Sequence, residues 1–177
     1  MKIKDVFLCF LLAFTISCTT GTKKATVLKA PDIPTEWRYL DHESFSMRYP
    51  QQWELQHDVE GALFCLMSSP SSPDDTFREN VNLVTEDLLE DLPLDRYTML
   101  TKNYLKQKFT ITDEKKLDMD GQIFYHLILK GKDGIHAKQF YMVKGKKAYI
   151  LTFAYQPTET ASIQQAGELI MLSFKPK

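Results

Sequence analysis

The stretch SFSMRYPQQWEL, residues 44–55, decides the fold because it shows how one strand runs and where it must end. Apolar and polar residues alternate over Phe45–Tyr49, and this period of two predicts a strand with one buried face. Pro50 has no N–H to donate to a neighbouring strand, so the strand ends there. The two glutamines can then form one turn, and Trp53 is predicted to fold back onto the sheet as a large apolar plug. We therefore interpret YPQQW as structural and not as a binding motif.

Seven further segments have strand character, because they alternate in polarity or form short apolar runs bounded by turn residues. They are residues 37–42, 54–57, 62–67, 81–85, 123–129, 135–143 and 148–155. Residues 119–122, 130–134 and 144–147 are rich in Gly, Asp and Lys and predict tight turns, so the second half of the chain reads as an antiparallel meander.

Two segments change to a helical period. From residue 95 to residue 109, apolar side chains recur at steps of three and four, and Asp95 is the expected N-cap. The apolar positions of this first helix are Tyr97, Leu100, Tyr104, Leu105 and Phe109. A second helix is predicted from Ala161, with Ser162 and Gln165 forming a capping box.

Each predicted helix has one apolar face, so each must dock on the sheet. The expected fold class is α+β, an antiparallel β-sheet flanked by helices. At 177 residues the chain is long enough for one such domain with a real core.

The first 17 residues differ from the rest of the chain. Two lysines precede an apolar run over residues 6–16, which is shorter than the roughly 20 residues that a membrane-spanning helix needs. This pattern is typical of a secretory signal. The sequence TISC at residues 15–18 resembles a bacterial lipoprotein box, which implies lipidation of Cys18. An ordinary cleaved signal, with Cys18 a bystander, is the alternative.

These observations predict three regions: a lipoprotein signal peptide over residues 1–17, a flexible tether over residues 18–35, and a globular domain over residues 36–177. The tether is predicted because its residues are small and polar, with lysines and prolines but no periodicity. The expected location is the cell envelope, anchored by lipid and facing the periplasm of a Gram-negative bacterium. The choice between inner and outer membrane stays open.

Cysteine usage fits this location. Cys9 belongs to the signal and Cys18 would carry the lipid, which leaves Cys65 without a partner for an internal disulfide. Cys65 lies in an apolar run and is expected to be a small buried side chain and not a nucleophile.

The order of these motifs resembles that of PsbP-like domains and the related DcrB-like bacterial lipoproteins. The resemblance rests on FSMRYPQQW at residues 45–53, the turn Asp120–Gly121, YILTFA at residues 149–154 and the terminal SFK at residues 173–175. It covers residues 37–175 and implies an α/β/α sandwich around an antiparallel sheet.

No catalytic or metal-binding motif is recognisable, so no catalytic residue, metal ligand or cofactor is predicted. His126 and His136 lie on strands predicted to be neighbours and could pair across them, but two histidines alone make a poor metal site. The residues of any ligand-binding site stay unknown.

Charge gives two weaker indications. A formal net charge of −1 gives no reason to expect nucleic acid as a partner. The run Glu86–Asp91 is acidic, and lysines are frequent in the later turns. These charges predict solvent-exposed faces. The alternative is a domain that is acidic on one side and basic on another and is oriented by this charge on a membrane or partner. The lysines are Lys130, Lys132, Lys144, Lys146 and Lys147.

Three function classes follow. The leading hypothesis is a non-catalytic, lipid-anchored binding or accessory module for another envelope protein. The second is a small-ligand carrier with an aromatic groove between helix and sheet, lined by Tyr97, Tyr104, Tyr125, Tyr141 and Phe140. The third is a hydrolase, which would require His126 or His136 within hydrogen-bond reach of a nucleophile and a carboxylate.

Overall fold

The structure is a computed structural model that describes residues 24–59 and 61–177. Its strands are β1 (Thr26–Leu28), β2 (Arg38–Asp41), β3 (Phe45–Tyr49), β4 (Glu54–Val59), β5 (Ala62–Met67), β6 (Asn80–Asp87), β7 (Phe109–Met119), β8 (Gln122–Gly131), β9 (His136–Lys144), β10 (Lys147–Tyr155) and β11 (Lys175–Pro176). Its helices are α1 (Leu94–Leu105) and α2 (Ala161–Leu172).

The strands form two sheets. The larger has eight strands in the order β1-β7-β8-β9-β10-β6-β5-β4, and the smaller has three in the order β11-β3-β2. The pairings are antiparallel except that of β1 with β7, which is parallel. The predicted antiparallel meander of β8 to β10 is confirmed, and so is the turn at Asp120–Gly121, where both residues have positive φ.

Each face of the larger sheet has its own apolar core. On one face lie α2 and the smaller sheet, and the buried side chains there include Phe45, Trp53, Leu83, Phe124, Phe140, Phe153, Ile170 and Phe174. On the other face, α1 packs against the sheet, and the buried side chains there include Tyr97, Leu105, Tyr125, Leu127, Leu129 and Tyr141. The α+β fold predicted from the sequence, with helices flanking the sheet, is therefore confirmed.

The prediction for YPQQW is confirmed as well. The chain turns after Pro50, and the Trp53 N–H donates a hydrogen bond of 3.1 Å to the Pro50 carbonyl oxygen. The Trp53 side chain is 3% exposed and belongs to the core beneath α2. The motif thus ends β3 and fills the space between the two sheets.

The first helix differs from its prediction in both length and rotation. It ends at Leu105, and Phe109 begins β7. Asp95 lies in its first turn and is not the N-cap, which is Pro93. Leu100 and Tyr104 are 49% and 59% exposed, so the predicted apolar stripe was wrong at these two positions.

Two threonines occupy the buried face of α1 in their place. Thr98 and Thr101 donate their hydroxyl protons to the carbonyl oxygens of Leu94 and Tyr97, at 2.7 and 3.0 Å. Because each hydroxyl is bonded within the helix, these small side chains pack against the sheet without an unpaired polar atom.

The second helix begins where predicted but without the predicted capping box. Its N-cap is Thr160, which makes no side-chain capping hydrogen bond. The Ser162 hydroxyl bonds to the Thr160 hydroxyl at 3.1 Å, and Gln164, not Gln165, reaches back, to the Glu159 carbonyl oxygen.

Three strands were not predicted, β1, β7 and β11, and the first two affect the candidate site. Thr26–Leu28, within the predicted tether, is the edge strand β1 of the eight-stranded sheet. The 11-residue strand β7 has a register shift between Ile111 and Asp113. This bulge moves Leu117 to the α2 face of the sheet, whereas Ile111 packs on the α1 face.

The predicted signal peptide and Cys18 lie outside the described residues. Within residues 24–59 and 61–177, no helix is both long and apolar enough to cross a membrane.

Candidate functional site

The histidines that the sequence analysis singled out do not pair. Although β8 and β9 are neighbours, the register sets His126 opposite Phe140 and His136 opposite Lys130. The His136 ring contacts Tyr155 edge-on at 5.8 Å. Within the described residues, no cluster of three or more His, Cys, Asp and Glu side chains could hold a metal ion.

One histidine does contact a serine. In the turn between β2 and β3, His42 Nδ1 lies 3.0 Å from Ser44 Oγ and 3.3 Å from the Ser44 backbone nitrogen. The ring also stacks on Phe45, with centroids 4.7 Å apart. These are local contacts of a two-residue turn, and across the described chain no carboxylate bonds to the ring. A nucleophile, a base and an orienting acid are therefore not assembled around His42.

The predicted aromatic groove is not formed. Tyr97, Tyr125 and Tyr141 are buried in the core beneath α1, Tyr104 is exposed, and Phe140 lies on the opposite face of the sheet. The Tyr97 hydroxyl donates to a Glu86 carboxylate oxygen at 2.8 Å, and the Tyr141 hydroxyl donates to Gln139. Burial, reinforced by Glu86, raises the pKa of Tyr97 above its ordinary value. These tyrosines hold the helix to the sheet.

Cys65 is 8% exposed in β5, which confirms its prediction as a buried side chain.

The acidic run and the lysine turn between β9 and β10 do not form separate acidic and basic sides of the domain. The acidic run follows the end of β6, and the lysine turn between β9 and β10 lies against it: Lys147 pairs with Asp87 at 3.4 Å, and Lys146 Nζ lies 3.5 Å from the Leu89 carbonyl oxygen.

A cleft of about 460 Å³ lies on the face of the sheet that carries α2. We name it the arginine cleft. Its walls come from the segment after β1, from β2 and β3, from the β7–β8 turn and from the end of α2. It is lined by Leu28, Lys29, Ala30, Pro31, Ile33, Tyr39, Ser46, Met47, Arg48, Met119, Asp120, Leu172, Ser173 and Lys175.

The charge of the arginine cleft is mainly positive. The Arg48 guanidinium lies over the Tyr39 ring, 5.4 Å from its centroid, and makes no ion pair with any described residue. Lys29 is exposed and likewise has no ion pair among the described residues, whereas Lys175 lies 3.4 Å from the Asp120 carboxylate. The cleft therefore offers an arginine fork held on an aromatic ring to an anionic group.

A second, smaller cavity of about 220 Å³ lies between β1, α2 and the sheet, and we name it the histidine chamber. It is lined by Leu28, Lys115, Leu117, His126, Ile128, Lys138, Phe140, Glu168, Met171 and Leu172. Leu28 and Leu172 line both cavities, so they form the wall between them.

His126 forms the polar part of the chamber floor. It is 8% exposed, its ring contacts Phe140 edge-on at 5.1 Å, and its Nδ1 atom is enclosed without a hydrogen-bond partner among the residues that the structure describes. Burial, helped by the positive charges of Lys115 and Lys138, lowers the pKa of His126 to about 4. The imidazole is therefore neutral at pH 7.

Sequence reasoning missed both cavities. The alternation in β3 predicted that Arg48 lies on the solvent-exposed face of the strand. Its position over Tyr39, however, depends on the pairing of β2 with β3. The chamber depends on β1 and on the β7 bulge, and no sequence signal marked either.

Comparison with solved structures shows the fold. The solution structure of cyanobacterial PsbP (CyanoP) from Synechocystis sp. PCC 6803 superposes with a TM-score of 0.61 at 13% identity, covering 84% of this chain and 98% of that one. The crystal structure of PA94 from Pseudomonas aeruginosa, described as a protein of unknown function and putative regulator, gives 0.57 at 12% identity, covering 80% and 97%. The resemblance to PsbP-like domains is thus confirmed at the level of the fold. No protein-family model matches the chain, and no curated protein matches it either.

Proposed function

We propose that this protein is a non-catalytic envelope module, anchored by a lipid on Cys18, that binds an acidic segment of another envelope protein in the arginine cleft. The observation that carries the proposal is the Arg48 guanidinium, which is stacked over Tyr39 at the cleft without a carboxylate partner among the described residues.

The position of Arg48 suits it to recognition. Its backbone N–H and C=O are both bonded to the Ser173 hydroxyl, at 2.9 and 3.0 Å, so the main chain beneath the side chain is held in place. A guanidinium presents several N–H donors in a rigid fork that fits a carboxylate, and stacking on an aromatic ring restricts its freedom before binding. Less side-chain entropy is then lost when a partner binds.

The remaining lining favours a peptide carboxylate over an apolar segment. Lys29 and Lys175 add positive charge, and Asp120 contributes the negative charge that Lys175 partly offsets. Complementary charge of this kind contributes mainly to association rate and specificity, and its effect falls with ionic strength.

The position of β1 in the chain supports placing the arginine cleft close to the membrane. Seven residues lie between Cys18 and Thr26, and the eight fully extended Cα–Cα steps that join them span at most about 28 Å. If Cys18 carries the lipid, the arginine cleft, which is walled by the segment just after β1, is held within reach of proteins on the same bilayer. A triacyl anchor of the kind that the lipoprotein box implies would make this attachment stable.

The test is in-cell photocrosslinking from the cleft. A photoreactive amino acid at Ala30, which lines the cleft, is expected to capture one envelope protein through a peptide rich in Asp or Glu. The Arg48→Glu variant should reduce that product at least tenfold, whereas the matched reversal Arg96→Glu, on the exposed face of α1, should leave it unchanged. A crosslinker at Asn103, also exposed on α1, should not give the same product.

The anchor is tested in the same strain with Cys18→Ala. The variant is expected in the soluble fraction, with the crosslinked product lost. Equal capture by Arg48→Glu and wild type would overturn the cleft as the binding surface. A Cys18→Ala protein that stayed in washed membranes would overturn the lipid anchor.

The hydrolase alternative has less support, because neither His126 nor His136 hydrogen-bonds to a nucleophile among the described residues. The predicted aromatic groove of the carrier alternative is not formed. The histidine chamber is a separate cavity in which a small molecule could bind.

A further inference from the structure

We propose that the histidine chamber is a binding site for a small monocarboxylic acid, with the carboxylate between His126 and Lys115 and the hydrocarbon part against the apolar walls. This inference is independent of the proposed partner in the arginine cleft, because it concerns a separate cavity and different side chains.

The size of the chamber sets the size of the ligand. An engineered apolar cavity of about 150 Å³ holds benzene, which has six heavy atoms. The histidine chamber, at about 220 Å³, should therefore hold a molecule of roughly nine heavy atoms. That is the size of heptanoate.

The polar atom that His126 offers is a single donor. Nδ1 is enclosed, so the part of the ring that keeps some exposure is the opposite edge, which carries Nε2. A neutral imidazole has one N–H, and we infer that it is on Nε2 because the other tautomer would enclose an unpaired donor. No described residue accepts a hydrogen bond from Nε2, so this donor is free to meet a ligand.

The two lysines of the chamber differ in their ion pairing. Lys138 is bound to the Glu168 carboxylate, and its ammonium lies 5.4 Å from the centroid of the Tyr155 ring. Lys115 lies directly opposite His126 in the β7–β8 register, and it makes no ion pair with any described residue. One uncompensated positive charge and one N–H donor therefore meet at the same cavity, which favours a monoanion that accepts hydrogen bonds.

The rest of the lining excludes more polar ligands. Leu28, Leu117, Ile128, Phe140 and Leu172 offer no hydrogen bonds from their side chains. A phosphate or a sugar would leave several polar atoms unpaired against these walls, at a cost of about 1–3 kcal/mol each. A carboxylic acid with an alkyl chain has polar atoms at one end alone, which matches the distribution of polar groups in the chamber.

The experiment is a calorimetric and NMR titration of the full chain with heptanoate, using 1-heptanol as the uncharged control. Heptanoate is expected to bind at least tenfold more tightly than heptanol. Saturation should shift the ring resonances of His126 and raise its pKa, because a bound carboxylate stabilises the protonated imidazole.

Four variants sharpen the test. Lys115→Met should weaken heptanoate binding at least fivefold and leave heptanol binding unchanged. Lys130→Met, which removes an exposed lysine from the same hairpin outside the chamber, should change neither. His126→Gln keeps an N–H donor and should retain more affinity for heptanoate than His126→Leu.

Equal affinity for heptanoate and heptanol would overturn the proposal and leave an apolar cavity without a carboxylate site. An unchanged affinity in Lys115→Met would also overturn it, as would the absence of binding at millimolar heptanoate. None of these outcomes depends on crosslinking in the arginine cleft, so the two proposals fail separately.

Discussion

The hydroxyl of Ser173 hydrogen-bonds to both backbone polar groups of Arg48, a residue 125 positions earlier in the chain. It accepts from the Arg48 N–H at 2.9 Å and lies 3.0 Å from the Arg48 carbonyl oxygen. The strand β11 pairs with β3 at Ser46 and Phe45, and this pairing does not extend to Arg48. A side chain thus takes the place of the missing strand partner and joins the end of α2 to the smaller sheet.

Replacing Ser173 by alanine should lower the free energy of unfolding by about 1–3 kcal/mol, because the Arg48 N–H is left without its partner. Urea denaturation at neutral pH measures this loss. Ser162→Ala, at an exposed position of α2, should stay within about 0.5 kcal/mol of wild type. Equal effects at the two serines would show that the Ser173 contact contributes nothing specific.

Gly167→Ala should destabilise the protein, although alanine is the better helix former by about 1 kcal/mol. A Cβ at residue 167 would lie closer than 3.0 Å to three carbon atoms of the Phe153 ring, which is fully buried. Overpacking of this kind costs about 1–3 kcal/mol, which exceeds the gain in helix propensity.

Thermal unfolding should therefore show a lower melting temperature for Gly167→Ala. Combining it with Phe153→Leu should give a smaller loss than the sum of the two single changes, because the smaller side chain relieves the overlap. A more stable Gly167→Ala protein would mean that α2 can shift away from β10 at little cost.

Trp53→Ala should cost about 3–5 kcal/mol of stability, since it empties a large volume between the two sheets. Gln52→Ala, one residue earlier and exposed, should be nearly neutral. Chemical denaturation of both variants compares a buried plug with a surface position of the same turn. A stable Trp53→Ala protein that had lost partner crosslinking would instead identify YPQQW as a binding motif.

Stability should depend on the protonation of His126. Its pKa is about 4 in the folded protein and about 6.5 when unfolded, so between these values the unfolded chain binds more protons. The free energy of unfolding contributed by this group therefore falls as the pH is lowered from 6.5 to 4, by up to about 3 kcal/mol.

The buried carboxyl of Glu79 titrates with the opposite sign, because burial raises its pKa. The measurement is therefore a comparison of unfolding free energies for wild type and His126→Gln at pH 7 and pH 4.5. The wild type should lose more stability than the variant over this interval. Parallel losses would show that His126 is not the group that responds.

Much of the fold could be predicted from the sequence because its signals are local. The period of two in β3, the proline that ends it and the glycine turns of the meander each depend on a few adjacent residues. These features predicted the order of the strands from β8 to β10, whereas β7 was not predicted because lysine and acidic side chains hide its alternation.

The rotation of α1 could not be predicted because the helical period allowed two buried stripes. Leu100 and Tyr104 continue the apolar pattern from Tyr97, yet the structure exposes them and buries Thr98 beside Tyr97 and Leu105. Threonine reads as polar in the sequence, whereas here its hydroxyl is satisfied within the helix. The choice depended on the shape of the sheet surface, which is set by residues distant in the chain.

The candidate sites could not be predicted for a related reason. The two cavities are formed by β1, β7 and α2, which are far apart in sequence. In the sequence, Arg48 and His126 do not differ from other residues of alternating strands. The surroundings that distinguish them form only when the chain folds. Cys18 is the opposite case, since its sequence context alone supports its prediction and the described residues do not include it.

The parallel pairing of β1 with β7 also bears on aggregation. An exposed strand edge offers unpaired N–H and C=O groups to other chains and can nucleate intermolecular sheets. Here β1 is three residues long and covers Leu117–Met119, and the bulge near Ile111 interrupts the hydrogen-bonding pattern of the other part of β7. Charged side chains along that part further discourage pairing between molecules. The same short strand that walls both cavities thus helps to keep the eight-stranded sheet from growing.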